Sequence, residues 1–228
     1  MKTRIRIDMT ILFFIVILTG FLFYFSGFYG HNKFLDDTLD LLGVVFILKG
    51  TYFRMAARGY KKAYSQNGKK LVTTGLYAFM RNPMYVGSFL IGAGFVMFVW
   101  PWWGLFIFFI LFYLRFRPQV LKEEAALKGA FGRAYEDYWR TVPSVFPVIY
   151  DLIHAKFSDI FPWKVVWSTK EKWGLITWLA LAFVLETFQE KVVFGFTDVR
   201  TTMVIFISGV LAFILATGIM YANAKNTK

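Results

Sequence analysis

Two short stretches concentrate the side chains able to do chemistry. The first runs Leu71-Val72-Thr73-Thr74-Gly75-Leu76-Tyr77 and resumes as Arg81-Asn82-Pro83-Met84-Tyr85-Val86-Gly87. The second runs Glu123-Glu124-Ala125-Ala126-Leu127, then Phe131-Gly132-Arg133-Ala134-Tyr135, with Tyr138 and Val142-Pro143 beyond. Adjacent carboxylates suit a cationic ligand or sugar hydroxyls, tyrosine rings stack on flat heterocycles or face cations, and the amides that open a helix bind anions. A plainer account also fits each part. Pro83 suits a first helical turn with Asn82 as its cap, and Glu123-Glu124 can be the acidic first turn of a helix. That account leaves unexplained the two tyrosines and the arginine gathered around the Asn-Pro pair. With no cysteine, a thiolate nucleophile, thiolate zinc site, disulfide or palmitoyl anchor is excluded, and two histidines give no basis for a metal centre.

These segments have to be positioned by membrane helices. Of 228 residues, 57% are hydrophobic and 21% aromatic, with mean hydropathy +0.52, which excludes a disordered chain and a nucleic-acid-binding tail. A hydrocarbon core about 30 Å thick needs roughly 20 apolar helical residues. Met9 to Gly30 meets that length and, lacking a small-x-small cleavage pattern, reads as a retained anchor. A weaker span over 38–53 carries Lys49, which must snorkel or face a polar cavity, because a charge at the bilayer centre costs about 2.5 kcal/mol or more. From Asn82 to Leu114 no residue is charged, and Trp100-Pro101-Trp102-Trp103-Gly104 in its middle predicts two short spans joined as a tight hairpin. Trp173 to Leu185, interrupted by Glu186, and Thr201 to Ala224 bring the expected number of spans to six. The fold class expected is therefore all-α, a polytopic membrane bundle.

The formal charge of +12 supports this topology. Placed on it, twenty-two of the 26 Lys and Arg fall on one side and only Lys33, Lys191 and Arg200 on the other, which by the positive-inside rule puts both termini in the cytoplasm. The chain reads as a core over 1–150 and a C-terminal helical pair over 151–228. Gly92-Ala93-Gly94 lies inside an apolar span with no strand before it, so it predicts close helix packing, not a nucleotide loop. No GxxxG spacing occurs in the clear spans. Leu127, Phe131, Tyr135, Tyr138 and Val142 form one apolar stripe at helical spacing, which predicts a single amphipathic helix lying on the membrane surface.

Taken together, the two stretches resemble the signature of the isoprenylcysteine carboxyl methyltransferase and phospholipid methyltransferase superfamily, over about 71–147. The resemblance implies an integral membrane enzyme that moves a methyl group from S-adenosylmethionine to a lipid or lipid-linked acceptor. Its cofactor pocket would be built by the hairpin and the following interfacial helix, facing the cytoplasm. Carried onto this chain, cofactor contacts fall to Leu71, Val72, Tyr77, Asn82, Pro83, Met84, Tyr85 and Glu123, with Glu124 beside it. Carboxyl methyltransferases of the family usually carry histidine where this chain has Asn82, whereas Asn-Pro-Met-Tyr resembles the phosphatidylethanolamine N-methyltransferases. The tail through Tyr138 and Val142-Pro143 resembles the carboxyl branch. The arginine that branch places before its acidic pair corresponds to Gln119, so Arg117 is the expected substrate-orienting residue. Partners implied are the bilayer and a lipid substrate, with neither nucleic acid nor metal.

Methyl transfer from a sulfonium needs positioning and exclusion of water but no nucleophilic side chain, so the absence of cysteine is no objection. Two other readings compete. An NADPH-dependent membrane sterol or enone reductase shares the Arg-x-Pro-x-Tyr pattern, although the acidic pair suits a cationic donor better than a phosphorylated nucleotide. A non-enzymatic scaffold or transporter subunit would explain the aromatic stripe as packing and Glu186, Glu190 and Lys191 as groups facing a cavity or capping a helix.

Overall fold

The computed structural model describes residues 15, 17–29, 32–145 and 160–226, and among them there are helices and turns but no strand. Helix α1, over 17–24, precedes a 3-10 turn at Ser26–Tyr29. It belongs to the span expected at Met9 to Gly30, the start of which lies outside the described residues. Helix α2, Lys33–Tyr64, is the longest. Asn32 caps it by accepting from the Leu35 amide at 3.2 Å, no proline interrupts it, and it ends where Gln66, Asn67 and Gly68 all adopt positive φ. The expected 38–53 span is thus the middle of a continuous helix, with Lys49 exposed on its surface.

Helix α3, Pro83–Val99, starts on its proline and stops before Pro101, which forces Trp100 into an extended conformation. Helix α4, Gly104–Phe131, returns beside it and completes the expected hairpin, with Phe89 of α3 set among Phe108, Phe109 and Phe112 of α4. Gly132, at φ +52, then breaks the chain before α5, Arg133–Thr141. The single amphipathic helix expected over Leu127 to Val142 is therefore two elements. Leu127 is exposed on the end of α4, while Tyr135 and Tyr138 are the buried face of α5. Helix α6, Trp163–Val166, and a 3-10 turn, Lys170–Trp173, lead into α7, Gly174–Phe194, which ends at Gly195 with φ +79. Helix α7 runs straight through Glu186, so that residue is buried inside a helix and does not end one. Helix α8, Val199–Asn226, begins at Asp198, whose carboxylate accepts from the Thr201 amide at 3.1 Å.

Among the described residues two helices, Gly104–Phe131 and Val199–Ala222, are long and apolar enough to cross a membrane on composition alone, and α3 is apolar but shorter. Lys49, Arg54 and Arg58 keep α2, and Glu186, Glu190 and Lys191 keep α7, outside that group.

Helix α2 is the central column, packed against α3, α6, α7 and α8. Its contact with α3 is backbone on backbone. A Cβ added at Gly50 would stand 2.6 Å from the Gly87 carbonyl, and one at Gly87 would stand 2.7 Å from the Gly50 carbonyl. Two turns away, a Cβ at Gly94 would lie 2.8 Å from the Gly43 carbonyl. The expected close packing at Gly92-Ala93-Gly94 is found, on a seven-residue glycine spacing, with Gly92 facing the Phe108 ring. One apolar cluster, including Val44, Ile47, Phe98, Ala182 and Phe206, joins α2 and α3 to α7 and α8. A second, including Tyr52, Met55, Leu76, Phe161 and Val166, lies under the Leu71–Tyr85 segment.

Gly50→Ala should cost about 1–3 kcal/mol, the usual penalty of overpacking against a backbone that cannot give. Gly129→Ala, whose Cβ meets nothing within 4 Å, should leave stability unchanged or raise it by up to ~1 kcal/mol. Thermal unfolding of the two variants in detergent, side by side, measures the difference.

Candidate active site

The Leu71–Tyr85 segment is pinned from below. Leu76 and Met80 are buried, and Gly75, at φ +62, lies flat on the Tyr60 ring where a Cβ would come within 2.1 Å of it. Tyr77, between these anchors, accepts a hydrogen bond at its carbonyl from the Tyr138 hydroxyl at 2.7 Å, which ties α5 to the segment. Leu71 and Val72 are half-buried in the irregular run leading in, Pro83 is buried at the start of α3, and Met84 packs on the lower apolar cluster.

Asn82 is not the side-chain cap it was expected to be. Its carbonyl accepts from the Tyr85 amide, but its side-chain nitrogen donates to Glu124 Oε1 at 2.9 Å and to Ser144 Oγ at 3.1 Å. Arg81 also donates to Glu124 Oε1, at 3.1 Å, and to the Trp139 and Val142 carbonyls, with its guanidinium over the Trp139 ring. The Arg81 and Asn82 amides donate to the Pro143 and Ser144 carbonyls at 2.9 and 3.0 Å. Glu124 is thus the interior knot that fastens the chain after α5 across the opening of α3.

Glu123, one residue earlier and turned about 100° around α4, is exposed. It accepts from the Tyr85 hydroxyl and from Gln119 Nε2, both at 2.8 Å. The acidic pair therefore divides its labour, with one carboxylate holding the structure and the other open to a ligand. Four expected site residues, Asn82, Tyr85, Glu123 and Glu124, are joined by hydrogen bonds, and Tyr77 senses the Glu123 charge. Arg117 is not among them. It is exposed, with its guanidinium over Tyr113 at 5.4 Å, on a different face of α4 from Gln119 and Glu123.

A cationic pair that sequence reasoning assigned only to the general belt of positive charge completes the site. Arg54 lies across Gly87, where a Cβ would stand 2.7 Å from its Cγ, and donates to Ser88 Oγ at 2.6 Å. Its guanidinium also grips Glu171 through both carboxylate oxygens, at 3.2 and 3.3 Å, and Arg58 reaches the same carboxylate at 2.9 Å. The signal available in the sequence was the i, i+4 spacing of two arginines where the apolar stretch of α2 ends. Beside the acidic pair, a cleft of about 270 Å³ opens where α4 meets α5, lined by Glu124, Lys128, Tyr135, Trp139 and Arg140 among others.

The Tyr77 phenol is pushed up to about 12 by burial first and by the Glu123 charge second, with Arg58 opposing. Burial and neighbouring phenols raise Tyr138 as well.

Comparison with known proteins places this geometry in context. The profile of the phospholipid methyltransferase family matches residues 10–134. The chain is 32% identical over 125 residues to the protein-S-isoprenylcysteine O-methyltransferase of Schizosaccharomyces pombe, covering 51% of this chain and 53% of that protein. It is 29% identical over 129 residues to protein-S-isoprenylcysteine O-methyltransferase B of Arabidopsis thaliana, covering 55% and 66%. It is 39% identical over 80 residues to the protein-S-isoprenylcysteine O-methyltransferase of Mus musculus, covering 35% and 28%. The chain thus spans about half the length of the fission-yeast relative it matches. No solved structure matches it.

A folded-state value above the ordinary 10 means that the native state keeps a proton the unfolded chain releases, so Tyr77 costs stability as pH rises above 10. Ultraviolet phenolate titration of Tyr77→Phe against the parent protein should remove one late-titrating tyrosine, and the variant's stability should fall less steeply above pH 10.

Proposed function

As the chain belongs to the phospholipid methyltransferase family, a family of membrane methyltransferases, we propose that it transfers a methyl group from S-adenosylmethionine to the carboxylate of an isoprenylated-cysteine-like lipid. The observation that carries this reading is the separation of charge across the site. An open carboxylate, Glu123, stands on one flank, and an arginine pair already gripping a carboxylate stands on the other. A cationic donor suits the first and an anionic acceptor the second. The arginine pair would repel the ammonium of a phospholipid amine, which favours the carboxylate among the acceptors the sequence left open. Family membership also favours the methyltransferase over the reductase and scaffold readings.

The residues fit the donor. Glu123, fixed by Tyr85 and Gln119, offers its remaining lone pairs to the donor's ammonium or ribose hydroxyls. Leu71, Val72, Asn82, Pro83, Met84 and Tyr85 form the wall beside it in this reading, and the Tyr77 and Tyr85 rings suit a sulfonium or an adenine. Glu124 serves by holding Arg81 and Asn82 in place. When bound, S-adenosylmethionine supplies an electrophilic methyl carbon and a neutral thioether leaving group. Arg54 and Arg58 align the acceptor, with one guanidinium able to take both carboxylate oxygens. The part of Arg54 and Arg58 would be to hold one carboxylate oxygen in line with that carbon, opposite the thioether it would release. No proton moves, so no base is required. Arg117, on the outer flank of α4, is assigned to drawing the acceptor's head toward the site.

In the accompanying topology the chain crosses the bilayer six times, with both termini and the site on the cytoplasmic side. The acceptor arrives sideways through the lipid and the donor from water, and 1–150 carries the chemistry.

Glu123→Gln should weaken S-adenosylmethionine binding about tenfold or more, since a hydrogen bond to a charged group is worth ~1.5–3 kcal/mol. Arg54→Ala with Arg58→Ala should leave donor binding intact and abolish methylation of an N-acetylated prenylcysteine. Calorimetry on the purified protein and radiolabel transfer measure the two effects. Label appearing in phosphatidylethanolamine, with none in the prenylcysteine, would reverse the acceptor assignment.

A further inference from the structure

At the end of the bundle opposite the site, roughly 20 Å along α2 from Arg54 at 1.5 Å per residue, five carboxylates converge. Asp36, Asp37 and Asp40 come from the first turns of α2, and Glu186 and Glu190 from the last turns of α7. Gln189 joins them, its amide nitrogen directed at Asp36 Oδ1 at 3.4 Å. Asp40, Glu186, Gln189 and Glu190 are each at most 2% exposed.

Among the described residues, one cation faces this group. Lys33 pairs with Glu190 and with Asp37 at 3.1 Å and stands 3.7 Å from Asp36. Glu190 also accepts from the Asp198 amide at 3.0 Å, so Glu190 and Asp37 are accounted for. The remainder is not. Both oxygens of Glu186, Oδ1 of Asp40 and Oε1 of Gln189 are buried without a hydrogen-bond partner. Carboxylates sealed from water and facing one another repel, and the single lysine is already shared among three of their neighbours.

The arrangement has the chemistry of a hard-cation site. Asp36, Asp37 and Asp40 each present an oxygen within 4.8 Å of the others. Oxygens bound to one calcium ion at 2.3–2.6 Å stand at most about 5 Å apart. All candidate ligands are carboxylate or amide oxygens, with no nitrogen or sulfur donor, which selects against zinc or copper. An irregular cage that includes an amide carbonyl fits the flexible coordination of calcium better than the strict octahedron of magnesium.

We infer that Asp36, Asp40, Glu186 and Gln189, with Asp37 beside them, bind a divalent cation of the calcium class. Such an ion bridges α2 to α7 and fastens the C-terminal helical pair, which lies beyond the family match, onto the core. The inference is independent of the methyl-transfer reading, because it concerns the opposite end of the molecule.

The test is calorimetric titration of the 228-residue protein in nanodiscs at pH 7.5 with calcium, magnesium or manganese chloride, alongside thermal unfolding. The expected result is one calcium per chain, a higher unfolding midpoint with calcium, and at least tenfold weaker calcium binding in Asp40→Asn and Glu186→Gln. A cooperative thermal unfolding transition in calcium-free buffer reports whether each variant is folded. No binding of any of the three cations to the parent protein at millimolar concentration would overturn the inference, whatever the variants do. So would equal calcium binding in parent and folded variants. A cation-insensitive parent together with a Glu186→Gln variant more stable than it would instead identify Asp40 and Glu186 as a proton-sharing pair.

Discussion

The contact of α2 with α3, carbonyl against glycine at Gly50/Gly87 and again at Gly43/Gly94, is the constraint on which the other elements rest. Lipid removes the hydrophobic drive for helices to associate, so van der Waals fit of small residues has to hold them. Close approach does more than stabilise. With no side chain at position 87, the stem of Arg54 can lie across α3 and deliver its guanidinium to Ser88, beside Tyr85. The Phe89, Phe108 and Phe112 stack then sets α4 against the outer face of α3, and that register puts Glu123 opposite the Tyr85 hydroxyl. Two glycine pairs thus align two charged clusters drawn from three helices.

The buried and the exposed member of the acidic pair illustrate how a fold assigns different work to neighbouring identical residues. Glu124 faces inward, where Arg81 and Asn82 compensate its charge, and leaving either side of such a knot unpaired is expensive. Glu123 faces outward and accepts from the neutral Tyr85 and Gln119 side chains, so no cationic side chain among the described residues is hydrogen-bonded to it. Glu171, reaching in from the C-terminal segment, gives the same lesson from the opposite sign, because a carboxylate already rests where Arg54 and Arg58 converge.

Much of this was legible in the sequence where the signal is local. The hairpin followed from Pro101 and its flanking tryptophans, the helical class from composition, and the linkage of Tyr85 and Asn82 to the acidic pair from motifs that read as a unit. The failures were of two kinds. Short-range patterns were read one step too simply: Asn82 has a cap's position but spends its side chain on Glu124, and the apolar stripe through Phe131 and Tyr135 ignores that Gly132 turns the chain between them. Long-range pairing left no trace at all. Nothing around Glu171 marks it as the partner of residues 117 and 113 positions earlier, and Glu186 looks like the interruption of an apolar span until it is found buried inside a continuous helix.

Helix α4 has one further consequence. Its 28 residues measure about 42 Å at 1.5 Å per residue, against roughly 30 Å of hydrocarbon, so a helix that starts at one membrane face must carry its last turns out into water. Glu123, about 28 Å along it from Gly104, stands where that end leaves the hydrocarbon, while the phenylalanines that grip α3 lie nearer its start. The level of the open carboxylate at that boundary is therefore counted in residues. In the proposed reading a greasy acceptor keeps its tail dissolved while its head meets a soluble donor at that boundary, and lengthening α4 by one turn would lift Glu123 about 5.4 Å farther from the lipid without altering any side chain beside it.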